Sequence, residues 1–281
     1  MISIELKNLK KKYGKTEALK GISFVVESGE LFAYLGPNGA GKTTTIRILT
    51  GLTKKTSGDA WIMGYHIEKE DIKAKMEFGL VMQSINLDQE LTVYENLDIH
   101  GRLYGMGKKD RKARIDELLE YVDLLDRKNS LVKELSGGMK RRITIARAML
   151  HSPKILFLDE PTVGLDANIR RRIWALIKKI QSTGTTIFLT THYIEEAEFL
   201  ADRVAFLDEG QILTIDSPYN LIAKTGQWAV DILKDDALKT LYFNSRKDAE
   251  KFISSQIESY TLRRVNLEDA FLQLTGKKVK C

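Results

Sequence analysis

A single cysteine among 281 residues, Cys281 at the end of the chain, has no partner for an intrachain disulfide, and a reducing cytosol is the expected setting. Long apolar runs are missing as well. Stretches such as Ile155 to Leu158 or Thr186 to Leu189 fall far short of the ~20 residues a membrane-spanning helix needs, so the chain is expected not to cross a bilayer by itself. The opening MISIELKNLKKKYG places no apolar run between its basic residues and a small-residue cleavage site, and no secretory signal is expected. With only 4 prolines and 20 glycines there is little room for disorder, and neither low-complexity sequence nor a repeat of solenoid period occurs. A strong excess of one charge is also absent. Lys+Arg 44 against Asp+Glu 38 leaves +6, and the basic clusters Lys10 to Lys12, Lys140 to Arg142, Arg170 to Arg172 and Lys277 to Lys280 are scattered. Scattered clusters are expected of a solvated surface, not of a nucleic-acid footprint, and they are compatible with anionic headgroups at a cytoplasmic membrane face.

What is present, 43% hydrophobic and 29% charged residues, is the composition of a soluble globular protein, and the length suggests one large and one small domain. Short apolar runs at Ile2 to Leu6, Ile22 to Val26, Leu31 to Leu35, Ala60 to Met63 and Phe78 to Met82 read as strands. A helix is expected between Leu35 and Ala60, from a glycine-rich loop to about Gly51. From Leu91 the period turns helical. Val93, Leu97 and Tyr104 mark one face, and Ile115, Leu118, Leu119 and Val122 another, after a possible cap at Asp110. A further helix should run from Ser136 to about Leu150. Ile155 to Leu158 then reads as a buried parallel strand, and the helix through Ile169, Ile173, Leu176, Ile177 and Ile180 should end at Gly184. Thr185 to Thr191, Val204 to Leu207 and Gln211 to Ile215 complete the strands. The expectation is an α/β fold, a P-loop NTPase core with a mostly parallel sheet, an antiparallel N-terminal part, and an inserted helical subdomain at about 91–150, all within residues 1–217. Residues 218–281 should form a small α+β extension, structural or regulatory, with a β, α, β, α order through Trp228 to Leu233, Ala249 to Ile257, Thr261 to Val265 and Leu267 to Leu274.

Gly36-Pro37-Asn38-Gly39-Ala40-Gly41-Lys42-Thr43 satisfies the phosphate-loop pattern in a strand-to-helix setting. Its glycines let backbone N–H groups turn inward around phosphate oxygens at a helix start, with Thr44 following. Lys42 should reach the β and γ phosphates, and the Thr43 hydroxyl should ligate Mg²⁺. Asp159, ending an apolar strand, is placed to bind the same ion, and Glu160 next to it is the natural base or positioner for an attacking water. Leu135-Ser136-Gly137-Gly138-Met139 is different. In isolation it is an ordinary helix cap, but the phosphate site has no use for it.

With these segments in this order, the chain resembles the ATP-binding subunits of ABC transporters over about Met1 to Ser217, with LSGG as their signature. The resemblance implies roles for further residues. Tyr13 is similar to the aromatic that stacks on adenine, and Gln83 to the glutamine that senses Mg²⁺ and links to the helical subdomain. Val163-Gly164-Leu165-Asp166 resembles the loop that touches a partner subunit, and His192 the histidine at the γ phosphate. Met139 departs from the family's usual glutamine and cannot make its hydrogen bonds, while Ser136, Gly137 and Gly138 remain.

The resemblance also implies a second copy of the chain. The signature of one subunit covers the ATP on the phosphate loop of the other, in a homodimer that ATP closes and hydrolysis reopens. A closing dimer without membrane helices implies a separate transmembrane permease, docked near Gln83 to Leu91, and a place at the cytoplasmic face of the membrane. The tail Asn266 to Leu272 and the run LSGGMKRR look like the drug-resistance and ABC-2 exporter branch. The alternative, a soluble ABC ATPase acting on nucleic acid or ribosomes, should carry tandem cassettes or a long heptad insertion, and neither is present. No nucleic-acid partner is expected.

Overall fold

The computed structural model describes residues 1–234, 237–254 and 259–275. Lys277 to Lys280, Cys281 and the expected helix end at Ile257 lie outside the described residues.

The chain opens with strands β1 (Ile2–Tyr13), β2 (Thr16–Glu27) and β3 (Leu31–Leu35), helix α1 (Lys42–Leu49), strands β4 (Ser57–Ile62) and β5 (Tyr65–His66), helix α2 (Asp71–Met76) and strand β6 (Phe78–Val81). Helices α3 (Val93–Leu103), α4 (Lys108–Tyr121) and α5 (Gly137–Ala148) follow. Then come β7 (Ile155–Asp159), α6 (Ala167–Ser182), β8 (Thr186–Thr191), α7 (Ile194–Leu200), β9 (Arg203–Asp208) and β10 (Gln211–Asp216). The last part comprises α8 (Pro218–Thr225), β11 (Trp228–Lys234), β12 (Ala237–Phe243), α9 (Arg246–Ile253), β13 (Tyr260–Arg264) and α10 (Leu267–Thr275).

The central sheet has the order β10-β9-β3-β8-β7-β6, parallel throughout except that β10 runs back along β9. Its strands β3, β7 and β8 are buried on both faces, and successive residues point to opposite sides. Phe32, Tyr34, Phe157, Phe188, Ala205 and Leu207 face α1 and the antiparallel sheet β2-β1-β4-β5. There Phe24 of β2 stacks at 5.2 Å on Phe32 and at 6.0 Å on Phe188. Leu31, Leu156, Leu158, Ile187 and Leu189 face the other way, into a core built with α3 to α6. Each large side chain buried in these layers contributes about 1.5–3 kcal/mol.

The helical insertion forms as its period implies, with Val93, Leu97, Ile115, Leu118, Leu119 and Val122 buried together. Thr92 and Glu95 form a capping box at the start of α3. The expected cap at Asp110 is incorrect. Gly107 precedes the first turn of α4 without a side-chain cap, and Asp110 sits inside that turn, where its charge suits the positive end of the helix.

Two expectations fall short in the sheets. β1 and β2 run on past the apolar stretches to 12 residues each, because bulges, one beside Asn8 at φ +49, let polar residues continue the ladder. The tail order is β, β, α, β, α, since β12 pairs antiparallel with β11 from Trp228–Phe243 to Lys234–Ala237. That sheet, β12-β11-β13, packs Val230 and Ile232 against Ala249 and Ile253 of α9. α10 leaves it. Leu267, Ala270 and Phe271 are buried instead with Leu35, Ala197, Phe206 and Leu221 on the main sheet.

Candidate functional site

The strands β3, β7 and β8 end side by side at the carboxyl edge of the parallel sheet, where open α/β sheets form their ligand crevice. The turn after β3 enters α1 through Gly41 at φ +112, a left-handed conformation that disfavours any residue with a Cβ. No side chain caps α1, so the first N–H groups of the helix remain available to an anion. A cavity of about 510 Å³ opens there, lined by Asn38, Gly39, Gly41, Lys42, Thr43, Thr44, Gln83, Glu160, Val163 and His192.

Lys42 is buried, and its ammonium donates to the carbonyls of Gly36 at 2.8 Å and Pro37 at 3.2 Å, across the loop from inside. It lies 3.3 Å from Glu160 Oε1. Burial holds the Lys42 ammonium below the usual lysine value, and the carboxylates of Glu160 and Asp159 oppose that shift. Glu160 Oε2 lies 3.1 Å from His192 Nδ1, although the ring nitrogen makes no hydrogen bond of good geometry. Glu160 therefore stands between a cation and an imidazole. Its own backbone is at φ +48, a left-handed turn rare for a residue with a side chain, which ends the strand and aims the carboxylate into the cavity.

Asp159 lies just beneath, fully buried at the end of β7. Its Oδ1 accepts from the Thr190 hydroxyl at 2.7 Å and from the Thr43 hydroxyl at 3.2 Å, while Oδ2 has no partner. Burial raises its pKa, and the two hydroxyls act in the opposite direction. Thr190 was not singled out in the sequence. It is a polar residue in a wholly buried strand, and its hydroxyl also accepts from Glu160 N at 3.2 Å.

The other candidate residues lie outside the cavity. Tyr13 ends β1, half-exposed, with the Lys11 ammonium 4.5 Å above its ring. Ser136 and Gly137 are exposed at the start of α5, and Ser136 Oγ accepts from Met139 N at 3.3 Å. Gly138 is buried, and a Cβ there would come within 2.6 Å of the Ile169 side chain. Met139 packs against the helical core. Asp166 caps α6 through Ile169 N at 3.0 Å.

The basic cluster Lys140 to Arg142 is not the solvated surface its composition suggests. Arg141 is only 3% exposed, and its guanidinium donates at 2.6 Å to the carbonyls of both Met82 and Gln83. Lys140 donates to Gln89 Oε1 at 3.0 Å, and Arg147 to Asn86 O at 2.7 Å. The helix that starts at the signature thus grips the segment leading from the cavity into the helical insertion.

The family model described as ABC transporter matches residues 19–163, a little over half of the chain. The chain belongs to the ABC transporter ATP-binding family. Among the relatives of this ABC ATPase, the linearmycin resistance ATP-binding protein LnrL of Bacillus subtilis is 45% identical over 223 residues, covering 79% of this chain and 72% of that protein. The Nod factor export ATP-binding protein I of Ralstonia nicotianae is 38% identical over 304 residues, covering 99% of this chain and 95% of that protein. The cassette also superposes on the dimeric, post-hydrolysis structure of the ATP-binding cassette MJ0796 bound to ADP and Pi, with a TM-score of 0.68 and 30% identity over 76% of this chain and 98% of that one. An ABC ATPase of this kind hydrolyses ATP in the service of transport, and among the described residues no helix is long and apolar enough to cross a membrane.

Proposed function

We propose that this ABC ATPase binds Mg²⁺-ATP between two copies of itself and, as they close and reopen, drives export through a separate transmembrane permease at the cytoplasmic face of the membrane. The observation that carries this reading is the exposure of Ser136 and Gly137, which sit outside the chain's own cavity and open to a neighbour. Two relatives are named for resistance or export, and the neighbouring cassette MJ0796 is a dimer, which supports both the pairing and the direction.

Within one subunit, the backbone of Gly36 to Thr44 and the Lys42 ammonium would hold the phosphates, and Tyr13 would stack on adenine. The donors fit magnesium. Asp159 Oδ2 is a buried carboxylate oxygen without a hydrogen-bond partner, beside the Thr43 hydroxyl, with Gln83 across the cavity. Hard oxygens supplied by one carboxylate and a hydroxyl, completed by phosphate, are what Mg²⁺ prefers. Held by Asp159 and Thr43, the ion would supply positive charge against the phosphates. Glu160 takes the proton of the attacking water, and His192 donates to the γ phosphate. Ser136 and the amides of Gly137 and Gly138 cover the ATP of the facing subunit. Loss of the γ phosphate removes those cross-subunit contacts, and the pair reopens.

The permease would dock on the segment Gln83 to Leu91, which α5 holds through Lys140, Arg141 and Arg147. Residues 1–217 would then be the motor, and residues 218–281 a structural or regulatory module.

The test is Glu160→Gln. ATP should still bind, hydrolysis should fall by about 10²- to 10⁴-fold, and gel filtration with ATP should show a dimer. A variant that binds ATP and stays monomeric would overturn the closing cycle. Purification from membranes should bring down an integral membrane protein with the parent chain.

A further inference from the structure

Helix α7 starts two residues beyond His192, and its third residue, Glu196, is fully buried. One carboxylate oxygen, Oε1, accepts from the Thr162 hydroxyl at 2.8 Å and from the Trp174 indole at 2.9 Å. The Thr191 hydroxyl also bears on this carboxylate, though Oε2 makes no hydrogen bond of good geometry. Thr162 and Trp174 are themselves buried. They flank the segment Val163 to Asp166, which leads from Glu160 into α6, so one oxygen holds that segment from both sides and fastens it to α7. From α6, the Arg170 guanidinium lies 4.5 Å over the ring of Tyr193, the residue after His192.

Burying a carboxylate costs several kcal/mol, and an apolar side chain of similar volume would fill the space without that cost. What only a carboxylate or a close analogue supplies is an acceptor for both donors at once. We propose that Glu196 is a positioning residue for hydrolysis: it locks the helix that follows His192 to the segment that follows Glu160, so that both groups meet the γ phosphate in fixed register. This inference rests on the assignment of Glu160 and His192 to hydrolysis. It extends to the subunit interface, since the segment Glu196 holds includes Leu165, the nearest side chain to a Cβ placed on Gly137.

The experiment compares kcat, KM for ATP, ATP affinity and Tm in the parent and in Glu196→Ala, Glu196→Gln and Thr162→Val. Glu196→Ala and Thr162→Val are expected to lower kcat by about tenfold, which equals ~1.4 kcal/mol of lost transition-state stabilisation, with ATP affinity unchanged. Glu196→Gln keeps an oxygen for both donors and should recover most of that rate. A purely structural strut would lower Tm in all three and leave kcat unaltered well below Tm, and that result overturns the proposal. So does a loss of ATP affinity in place of kcat. If Glu196→Ala does not fold, Thr162→Val, which removes one hydroxyl at constant volume, decides alone. A parent chain without ATPase activity even at the highest protein concentration would instead refute the underlying assignment.

Discussion

Phe271→Ala asks whether the last helix is part of the motor. Phe271 is 1% exposed and meets Phe206 of β9 edge to face at 5.2 Å, in a cluster that includes Ala33 and Leu35 of the strand leading into the phosphate loop. Truncating a buried Phe to Ala costs about 3–5 kcal/mol when the cavity cannot collapse. Here collapse is limited, because Leu267 N donates to Glu198 Oε2 of α7 at 2.9 Å and Arg263 holds Asp269 through two bonds of 2.7 and 2.9 Å. Alanine is the better helix former, a gain of about 0.5 kcal/mol, which leaves a loss of about 2.5–4.5 kcal/mol. In a protein of this size each kcal/mol moves Tm by about 2–4 °C, so a fall of about 5–18 °C is expected in calorimetry. The transition should remain single, with ATP still raising Tm. A variant that melts within about 1 °C of the parent, or that loses a separate small transition while the main one stays in place, would show that α10 is not integral to the core and would refute the reasoning.

Thr190→Val removes the hydroxyl that donates to Asp159 and accepts from Glu160 N. A hydrogen bond to a charged group is worth about 1.5–3 kcal/mol, so the urea midpoint should fall by a corresponding amount with m unchanged. His100 offers a pH test. Burial, with help from the Arg147 and His151 charges, pushes its pKa down from 6.5 to about 4. The folded state therefore binds its proton less readily than the unfolded chain, and this group's effect on stability is nil above pH 6.5, grows unfavourable as pH falls, and levels off below about 4. Denaturant melts between pH 7 and 4 should show that the stability of His100→Gln falls less steeply than that of the parent.

The phosphate loop, the acidic strand end and the signature were legible because each is written in consecutive residues. Asp159 and Glu160 follow an apolar run that can only be a strand, and that places them at a sheet edge. Thr190 and Glu196 were not legible, since their partners depend on β8 lying between β3 and β7, and chain order does not state which strands are neighbours. Arg141 is a middle case. Read as one of a basic run it looks like surface, but it shares the buried face of α5 with Gly138 and Ile145 at helical spacing, and that period was available in the sequence. β12 was missed because its residues mix charged, polar and apolar types, and its pairing with β11 is the work of the folded sheet.

If Ser136 and Gly137 cover the ATP of a second copy, as proposed, their outward placement makes turnover a matter of encounter. A site completed only by a second molecule follows second-order mass action, so a dilute solution of the free ATPase should be nearly idle, and specific activity should climb as protein is added. Tethering two copies to one membrane complex would replace that search with an effective local concentration of about a millimolar. Assembly itself would then become the on switch, and unassembled subunits would spare the cell their ATP.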